Sequence, residues 1–166
     1  MRPPKAQGSG GIIFVTGTGT GVGKTVLTAM LLHYLRKSGV RALAMKPFCT
    51  GNREDAELLT ELQDRELRID EVNPFHFRKP IATMVAARME RRTIDLKQVL
   101  AAIRSVQGRC EQLLIEVIGG LLVPVGNGWT VGDLISDLAC PVIVVSRNEL
   151  GTINHTMLTV TALQYF

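Results

Sequence analysis

The feature that most restricts the fold of this chain is a glycine-rich segment that joins an apolar run to an amphipathic one. Before it, residues 12–15 form a short β-branched run bounded by glycine, which predicts a buried strand. After it, apolar residues recur at helical spacing over residues 24–37. A strand, a glycine-rich turn and a helix in this order predict a loop that holds a phosphate group at the helix N-terminus. The segment reads Gly17-Thr18-Gly19-Thr20-Gly21-Val22-Gly23-Lys24-Thr25.

The last two residues of this loop predict a nucleoside triphosphate and magnesium as its ligands. Lys24 supplies a point charge for the β- and γ-phosphates, and Thr25 supplies a hydroxyl for the metal. Thr18 stands where the strict motif has glycine, and a glycine lies one residue earlier, at Gly17. A dinucleotide-binding loop is the weaker interpretation because it leaves Lys24 and Thr25 unexplained. The residues predicted to bind the nucleotide are Gly19, Thr20, Gly21, Val22, Gly23, Lys24 and Thr25.

Strand and helix patterns alternate along the rest of the chain. Apolar runs predict strands at residues 41–45, 113–115 and 141–146. Apolar residues at helical spacing predict helices at residues 53–62, 83–90, 96–106 and 152–166. This alternation predicts an α/β fold of the P-loop NTPase type, a three-layer sandwich with a mostly parallel sheet and helices on both faces. We expect a single domain over residues 11–166, after a disordered lead-in at residues 1–10. Because no further strand follows the last helical pattern, we also expect the C-terminal part of the fold to be missing.

Composition narrows the class of protein. The chain has 46% hydrophobic residues, no apolar run near the roughly 18 residues that span a membrane, and no signal sequence, so we predict a cytoplasmic protein without a membrane partner. The net charge of +4 comes from scattered basic residues, which argues against nucleic acid as a partner. The cysteines lack metal-ligand spacing and are expected to be reduced thiols; they are Cys49, Cys110 and Cys140.

Polar residues follow several predicted strands and are therefore expected at one edge of the sheet. The glycine-rich loop follows the first predicted strand, Lys46 follows the second, and Glu116 follows the third. Parallel α/β sheets bind ligands at the carboxyl ends of their strands. There, Lys24 and Lys46 would stabilise charge on a transferring phosphoryl group, and Glu116 or Asp55 would complete a magnesium site with Thr25. Helix capping by Asp55 and an ordinary surface position for Glu116 stay open as alternatives.

Several sequence blocks together give a family resemblance. The blocks are Phe14-Val15-Thr16-Gly17-Thr18-x-Thr20-x-Val22-Gly23-Lys24-Thr25, Lys46-Pro47-x-x-Thr50-Gly51, Asp55-Ala56, Asn73-Pro74-Phe75-x-Phe77, Glu116-x-x-Gly119-Gly120, Pro124, and Leu150-Gly151-x-Ile153-Asn154-His155-x-Met157-Leu158-Thr159. With these blocks the chain resembles the dethiobiotin synthetases of biotin biosynthesis from about Ile13 to Gln164. The phosphate loop is shared with many ATPases, whereas its combination with the Lys46 block and the Leu150 block is much more specific.

The resemblance implies a homodimeric, ATP-dependent cyclo-ligase. It would use magnesium and carbon dioxide or bicarbonate to close a cyclic urea on 7,8-diaminopelargonic acid. One amine becomes a carbamate, the carbamate attacks the γ-phosphoryl group to give a carbamic–phosphoric anhydride, and the second amine closes the ring and releases phosphate. The implied roles are charge stabilisation by Lys24 and Lys46, orientation of the carbamate by Thr20 and Thr50, magnesium binding by Thr25, Asp55 and Glu116, and binding of the substrate carboxylate by Gly151, Thr152, Ile153 and Asn154 of the other subunit.

The chain departs from the family pattern at five places. Gly19 replaces a common aspartate beside the phosphates, Thr50 replaces a common serine and keeps its hydroxyl, and the connection after this threonine is short. Val117 stands where the family has glycine after the magnesium glutamate. Because a β-branched residue does not easily adopt positive φ, we expect either a different backbone there or impaired activity. The family segment that binds adenine would lie beyond the last residue, so the nucleobase preference is not assigned.

Three other functions remain as alternatives. A partitioning or positioning ATPase, which switches dimer contacts, carries a signature lysine at the position of Gly19, and the glycine counts against that class. An amidotransferase-type ligase of the cobyrinic acid class needs a glutaminase domain, for which 166 residues leave no room. An inactive nucleotide-binding relic is suggested by Val117 and by the early end of the chain.

Overall fold

A computed structural model describes residues 11–166, so the predicted lead-in at residues 1–10 lies outside the described residues. The strands are β1 (Gly11–Gly17), β2 (Ala42–Met45), β3 (Phe48–Thr50), β4 (Phe75–Phe77), β5 (Gln112–Glu116), β6 (Pro124–Gly126), β7 (Trp129–Thr130) and β8 (Val142–Val145). The helices are α1 (Lys24–Lys37), α2 (Glu54–Leu62), α3 (Ile69–Val72), α4 (Thr83–Met89), α5 (Leu96–Gln107), α6 (Val131–Leu138) and α7 (Thr152–Leu163). None of the helices in this described range has the length and apolarity that a bilayer crossing requires.

The central sheet contains four parallel strands in the order β2-β5-β1-β8. Phe14 of β1 pairs with Ile115 on one side and with Val142 on the other. Successive strand residues point to opposite faces, and residues 113–116 of β5 are all buried, so both faces of the sheet are covered. Helices α1 and α2 contact each other and β2, whereas α5 and α6 contact each other and α5 contacts β5. This arrangement confirms the predicted α/β fold of the P-loop NTPase type.

The long periodic segments form the elements that the sequence predicts. Helix α1 has the predicted bounds, and the other predicted strands and helices form with small shifts at their ends. From the sequence a loop is expected at residues 73–77, and this is wrong for residues 75–77, which form β4 and pair in parallel with β3. The hairpin of β6 and β7 and the short helix α3 are also not predicted as elements. Strands of two or three residues are too short to show a period of two.

The last strand and helix are more exposed than the rest of the fold. All four residues of β8 are half-buried, and no residue of α7 is buried. The exposed apolar side chains there include Ile153, Met157 and Leu158 on the helix and Leu150 just before it. These four residues lie within the Leu150 block that carries part of the family resemblance.

Helix α5 begins with a side-chain cap that allows a direct test of local stability. Asp95 Oδ1 accepts a hydrogen bond from the backbone N–H of Lys97 at 2.9 Å. Because this bond satisfies an otherwise unpaired helix donor, we expect Asp95→Ala to lower the free energy of unfolding by about 1 kcal/mol. Urea denaturation measures the change. Gln98→Ala, at an exposed position of the same helix, is the control and should change stability by less than about 0.5 kcal/mol; equal losses would contradict the cap.

Candidate active site

The phosphate loop connects the end of β1 to the start of α1. Its backbone is anchored to the sheet, because the N–H of Thr18 donates to the carbonyl of Val145 at 3.0 Å. Gly23 begins the helix with a φ of 102°, in the left-handed region that favours glycine, and no side chain caps the helix there. Within the described part of the chain, the backbone amides of residues 19–23 donate to no other protein group. Unpaired amides at the N-terminus of a 14-residue helix are suited to bind an anion.

Lys24 lies against this loop rather than in solvent. Its side chain is buried, and its Nζ donates to the carbonyl of Gly19 at 2.6 Å. Burial lowers the pKa of Lys24, and the nearby Glu116 carboxylate offsets part of that effect. The loop therefore carries a positive charge that is held close to its backbone, as the sequence predicts for a phosphate ligand.

The predicted magnesium ligands lie together around the ammonium group of Lys46. Lys46 Nζ donates to Glu116 Oε1 at 2.7 Å, to Thr25 Oγ1 at 3.2 Å and to Asp55 Oδ2. The hydroxyl of Thr25 also donates to Glu116 Oε1, at 2.7 Å. Burial alone would lower the pKa of Lys46, but the neighbouring Glu116 and Asp55 carboxylates outweigh it and raise the pKa. Side chains from two strand ends and from the first turns of α1 and α2 thus form one cluster.

The two alternatives for the acidic residues do not agree with these positions. Glu116 is completely buried, so it is not an ordinary surface acid. The N-terminus of α2 has no side-chain cap, and the Asp55 carboxylate is bonded to Lys46 instead.

The cluster supplies oxygen atoms that can bind a magnesium ion, and one of these oxygens has no partner in the part of the protein that the structure describes. Glu116 Oε2 is buried and has no hydrogen-bond partner within the described residues. Carboxylate and hydroxyl oxygens suit Mg²⁺, which commonly takes one or two carboxylates and completes its shell with phosphate oxygens and water. Over residues 11–166 there is no group of three or more His, Cys, Asp or Glu side chains that could hold a metal by itself. A set of two carboxylates and Thr25 is therefore consistent with an ion that arrives with a nucleotide.

A cavity of about 440 Å³ lies beside this cluster. Thr20 of the phosphate loop and Thr50 at the end of β3 both line it, together with Lys24, Lys46 and Asp55. Thr20 is exposed and Thr50 is half-buried. The structure thereby brings the two predicted hydroxyl residues to the same space as the two lysines.

The residues predicted to bind the substrate carboxylate form the start of α7. Gly151 precedes the helix, and Thr152, Ile153 and Asn154 are its first residues. The hydroxyls of Thr152 and Ser146 are 2.6 Å apart. This helix start shares a cavity of about 190 Å³ with the phosphate loop of its own chain, lined by Thr18, Gly19, Thr20, Val22, Ser146, Arg147, Glu149, Thr152 and His155.

The sequence assigns no role to two residues that contact the site. Arg147 Nε donates to the carbonyl of Gly21 in the phosphate loop at 3.1 Å. It follows β8, so the rule that found Lys46 and Glu116 could also have found it. Asn73 is buried and its Nδ2 donates to the carbonyl of Lys46 at 2.8 Å. Nothing in its spacing along the sequence indicates this contact.

Val117 does not distort the backbone next to Glu116. It is buried, it has no positive φ, and its N–H donates to the carbonyl of Val15 at 3.3 Å. The left-handed conformation falls two residues later, at Gly119, with a φ of 65°. A valine is therefore compatible with the backbone of this chain at that position.

Cys49 also lines the larger cavity, and its reactivity gives a test of the site's burial. All three cysteines are free thiols, as expected, and burial raises the pKa of Cys49 to about 11. At pH 8 its thiolate fraction is then about 0.1%, against roughly a quarter in an unfolded chain. We expect iodoacetamide to alkylate Cys49 about 10²-fold more slowly in the folded protein than in urea, measured by peptide mass spectrometry. Equal rates in the two states would contradict the buried position.

The parallel sheet, the phosphate loop and the Lys24–Thr25 pair define this chain as a P-loop nucleotide-binding domain, and a family model described as an AAA domain matches residues 12–165. Proteins named ATP-dependent dethiobiotin synthetase are 39% identical to it over 150 residues in Akkermansia muciniphila, 43% over 156 residues in Anaeromyxobacter dehalogenans and 39% over 153 residues in Methanococcus vannielii. The chain belongs to the dethiobiotin synthetase family. These matches cover 90%, 92% and 92% of this chain and 70%, 70% and 72% of the relatives.

Proposed function

We propose that this chain catalyses the ATP- and magnesium-dependent closure of 7,8-diaminopelargonic acid with carbon dioxide to dethiobiotin, a step of biotin biosynthesis. The observation that carries the proposal is the cluster at the carboxyl ends of the strands. There, Lys24, Lys46, Thr25, Asp55 and Glu116 converge beside a loop with unpaired amides. Relatives with the name of this enzyme, about 40% identical over most of the chain, support the same reaction.

The phosphate loop and the acidic cluster would hold ATP and magnesium. The amides of residues 19–23 and the Lys24 ammonium would bind the phosphates. Thr25, Asp55 and Glu116 would hold Mg²⁺, and the buried, unpaired Glu116 Oε2 supports this assignment. When bound, the ion neutralises charge on the phosphate oxygens. Lys46 is bonded to all three of these residues and would share them with the ion.

The residues of the larger cavity would orient and stabilise the reacting groups. In this reaction a carbamate formed on one amine attacks the γ-phosphoryl group, and the second amine displaces phosphate from the resulting anhydride. Thr20 and Thr50 line the cavity with hydroxyls that can hydrogen-bond the carbamate. Lys24 and Lys46 bring two ammonium groups to the same space, and such preorganised charges stabilise a transition state in which negative charge develops.

We infer that two copies of the chain form a homodimer in which the start of α7 binds the substrate carboxylate of the other copy. The exposed apolar residues Leu150, Ile153, Met157 and Leu158 support an interface on this helix. The N-terminus of this 12-residue helix is positively polarised and suits a carboxylate. The cytoplasmic location stays a prediction from the sequence.

Product analysis tests the proposed reaction. The protein is incubated with 7,8-diaminopelargonate, bicarbonate, ATP and Mg²⁺, and dethiobiotin is sought by mass spectrometry together with released phosphate. We expect both products in equal amounts, and neither without the diamine. Phosphate release that ignores the diamine would instead favour a switching ATPase, and tight ATP binding without turnover would favour an inactive relic.

A further inference from the structure

The backbone that carries Lys46 receives its hydrogen bonds from outside the central sheet. The ladder between β2 and β5 ends at Met45, which pairs with Ile115. Beyond it, the N–H of Lys46 donates to the carbonyl of Val72 at 2.9 Å. A lysine whose ammonium must reach a buried carboxylate therefore depends, for its backbone position, on the segment at the end of α3.

Asn73 of that segment bonds the same stretch of backbone through its side chain. Its Nδ2 donates to the carbonyl of Lys46 at 2.8 Å and to the carbonyl of Pro47 at 3.2 Å. The side chain is buried, so water does not replace these bonds easily. Both hydrogens of one amide are thus committed to two successive residues at the end of β2.

The oxygen of the same amide accepts a hydrogen bond from Arg53, the residue just before α2. Arg53 Nε donates to Asn73 Oδ1 at 3.0 Å, and Arg53 Nη2 donates to the Asn73 carbonyl at 2.9 Å. Arg53 stands immediately before α2, whose second residue is Asp55. Asn73 therefore connects the backbone of Lys46 to the start of the helix that carries the partner carboxylate.

We propose that Asn73 is a positioning residue for the reaction, and that with Arg53 it holds Lys46 in register with Asp55 and Glu116. We call the Asn73–Arg53 pair the amide clamp. Neither Asn73 nor Arg53 lines the cavity beside the cluster. The effect of the clamp on turnover passes through Lys46, because the Lys46 ammonium is bonded to both carboxylates and lines the cavity.

A double-mutant cycle tests this route, and this kinetic arm rests on the proposed function. Asn73→Asp keeps an oxygen that accepts from Arg53, but it replaces the N–H group that donates to the Lys46 carbonyl with a carboxylate oxygen. We expect kcat to fall roughly 10-fold or more, because small displacements of a catalytic group cost that much, while the KM for ATP changes less than about two-fold. In a Lys46→Met background the same change should have almost no further effect on kcat. Independent effects that multiply would overturn the proposal.

A chemical readout tests the clamp without turnover. Lys46 is 7% exposed and bonded to two carboxylates, so acetylation of its amine should be slow in the wild type. We expect Asn73→Asp to raise the acetylation rate of Lys46 several-fold relative to the exposed Lys97, as measured by peptide mass spectrometry. Asp70→Asn, which removes only an exposed ion pair of Arg53, is the control and should change neither rate nor kcat.

The two arms separate the failure of the clamp from the failure of the proposed function. If the wild-type protein makes no dethiobiotin, the proposed function fails and the acetylation rates alone decide the clamp. If the wild type is active but Asn73→Asp changes neither kcat nor the acetylation of Lys46, only the clamp is refuted. Should Asn73→Asp not fold, Arg53→Lys replaces it in both arms. That variant removes the bond to Asn73 Oδ1 and is expected to change kcat and acetylation in the same direction.

Discussion

Replacing Lys24 with alanine is expected to reduce dethiobiotin formation by about 10³-fold or more, to a level close to abolition. Lys24 lies against the phosphate loop, where its Nζ donates to the carbonyl of Gly19. Removing one preorganised donor from a transition state that gains negative charge costs about 10²–10³ in kcat, and Lys24 would in addition contact the phosphates in the ground state. Initial rates of product and phosphate release measure the loss.

The stability of this variant separates a lost charge from a lost fold. Burial lowers the pKa of Lys24, so the folded protein disfavours its ammonium and gains little stability from it. We therefore expect Lys24→Ala to melt close to the wild-type temperature. Lys97→Ala, at an exposed lysine, is the matched control and should keep full activity. Wild-type turnover in Lys24→Ala would reject the assignment of the loop as the phosphate site.

Replacing Lys46 with alanine is expected to reduce kcat by about 10² or more and also to destabilise the fold. Lys46 lies between Asp55 and Glu116, and these carboxylates raise its pKa, which means that they stabilise its charged form. Removing the ammonium leaves Glu116 completely buried, with Thr25 as its one hydrogen-bond partner among residues 11–166. Breaking a buried ion pair from one side costs about 3–5 kcal/mol. Activity is measured by product formation and stability by urea denaturation.

A second substitution separates the two effects of Lys46→Ala. Glu116→Gln in the Lys46→Ala background removes the unpaired buried charge, so we expect it to restore part of the lost stability. It should not restore turnover, because both the cation and a predicted magnesium ligand are then absent. Recovery of activity in the double variant would show that Lys46 acts only by neutralising Glu116.

The positions of particular residues also bear on the alternative functions. The partitioning class would need a lysine at Gly19, and the family membership of the chain does not favour that class. The hypothesis of an inactive nucleotide-binding relic depends partly on Val117. The φ of Val117 is not positive, and the left-handed backbone conformation falls at Gly119 instead. The backbone at this position therefore gives no reason to expect an inactive protein.

Much of the fold and of the candidate site follows from the sequence. Three local patterns predict β1, the phosphate loop and α1. They are the apolar run at residues 12–15, the glycine-rich segment, and the helical spacing of the apolar residues that follow it. The rule that ligands bind at the carboxyl ends of parallel strands was sufficient to group Lys46 and Glu116 with Lys24. These predictions are accurate because each depends on a few neighbouring residues and on the parallel order of the strands.

The tertiary structure alone decided which side chains contact each other across the site. The sequence gives no distance between residues 46 and 73, or between residues 21 and 147, yet Asn73 holds the Lys46 backbone and Arg147 contacts the phosphate loop. The sequence also left open whether Asp55 caps a helix or belongs to a magnesium site, and the fold places its carboxylate on the ammonium of Lys46. Periodicity reports only whether a residue faces the core or the solvent. The partner of a buried polar group is set by how distant segments pack, because a buried donor or acceptor must find its hydrogen bond wherever the folded chain supplies one.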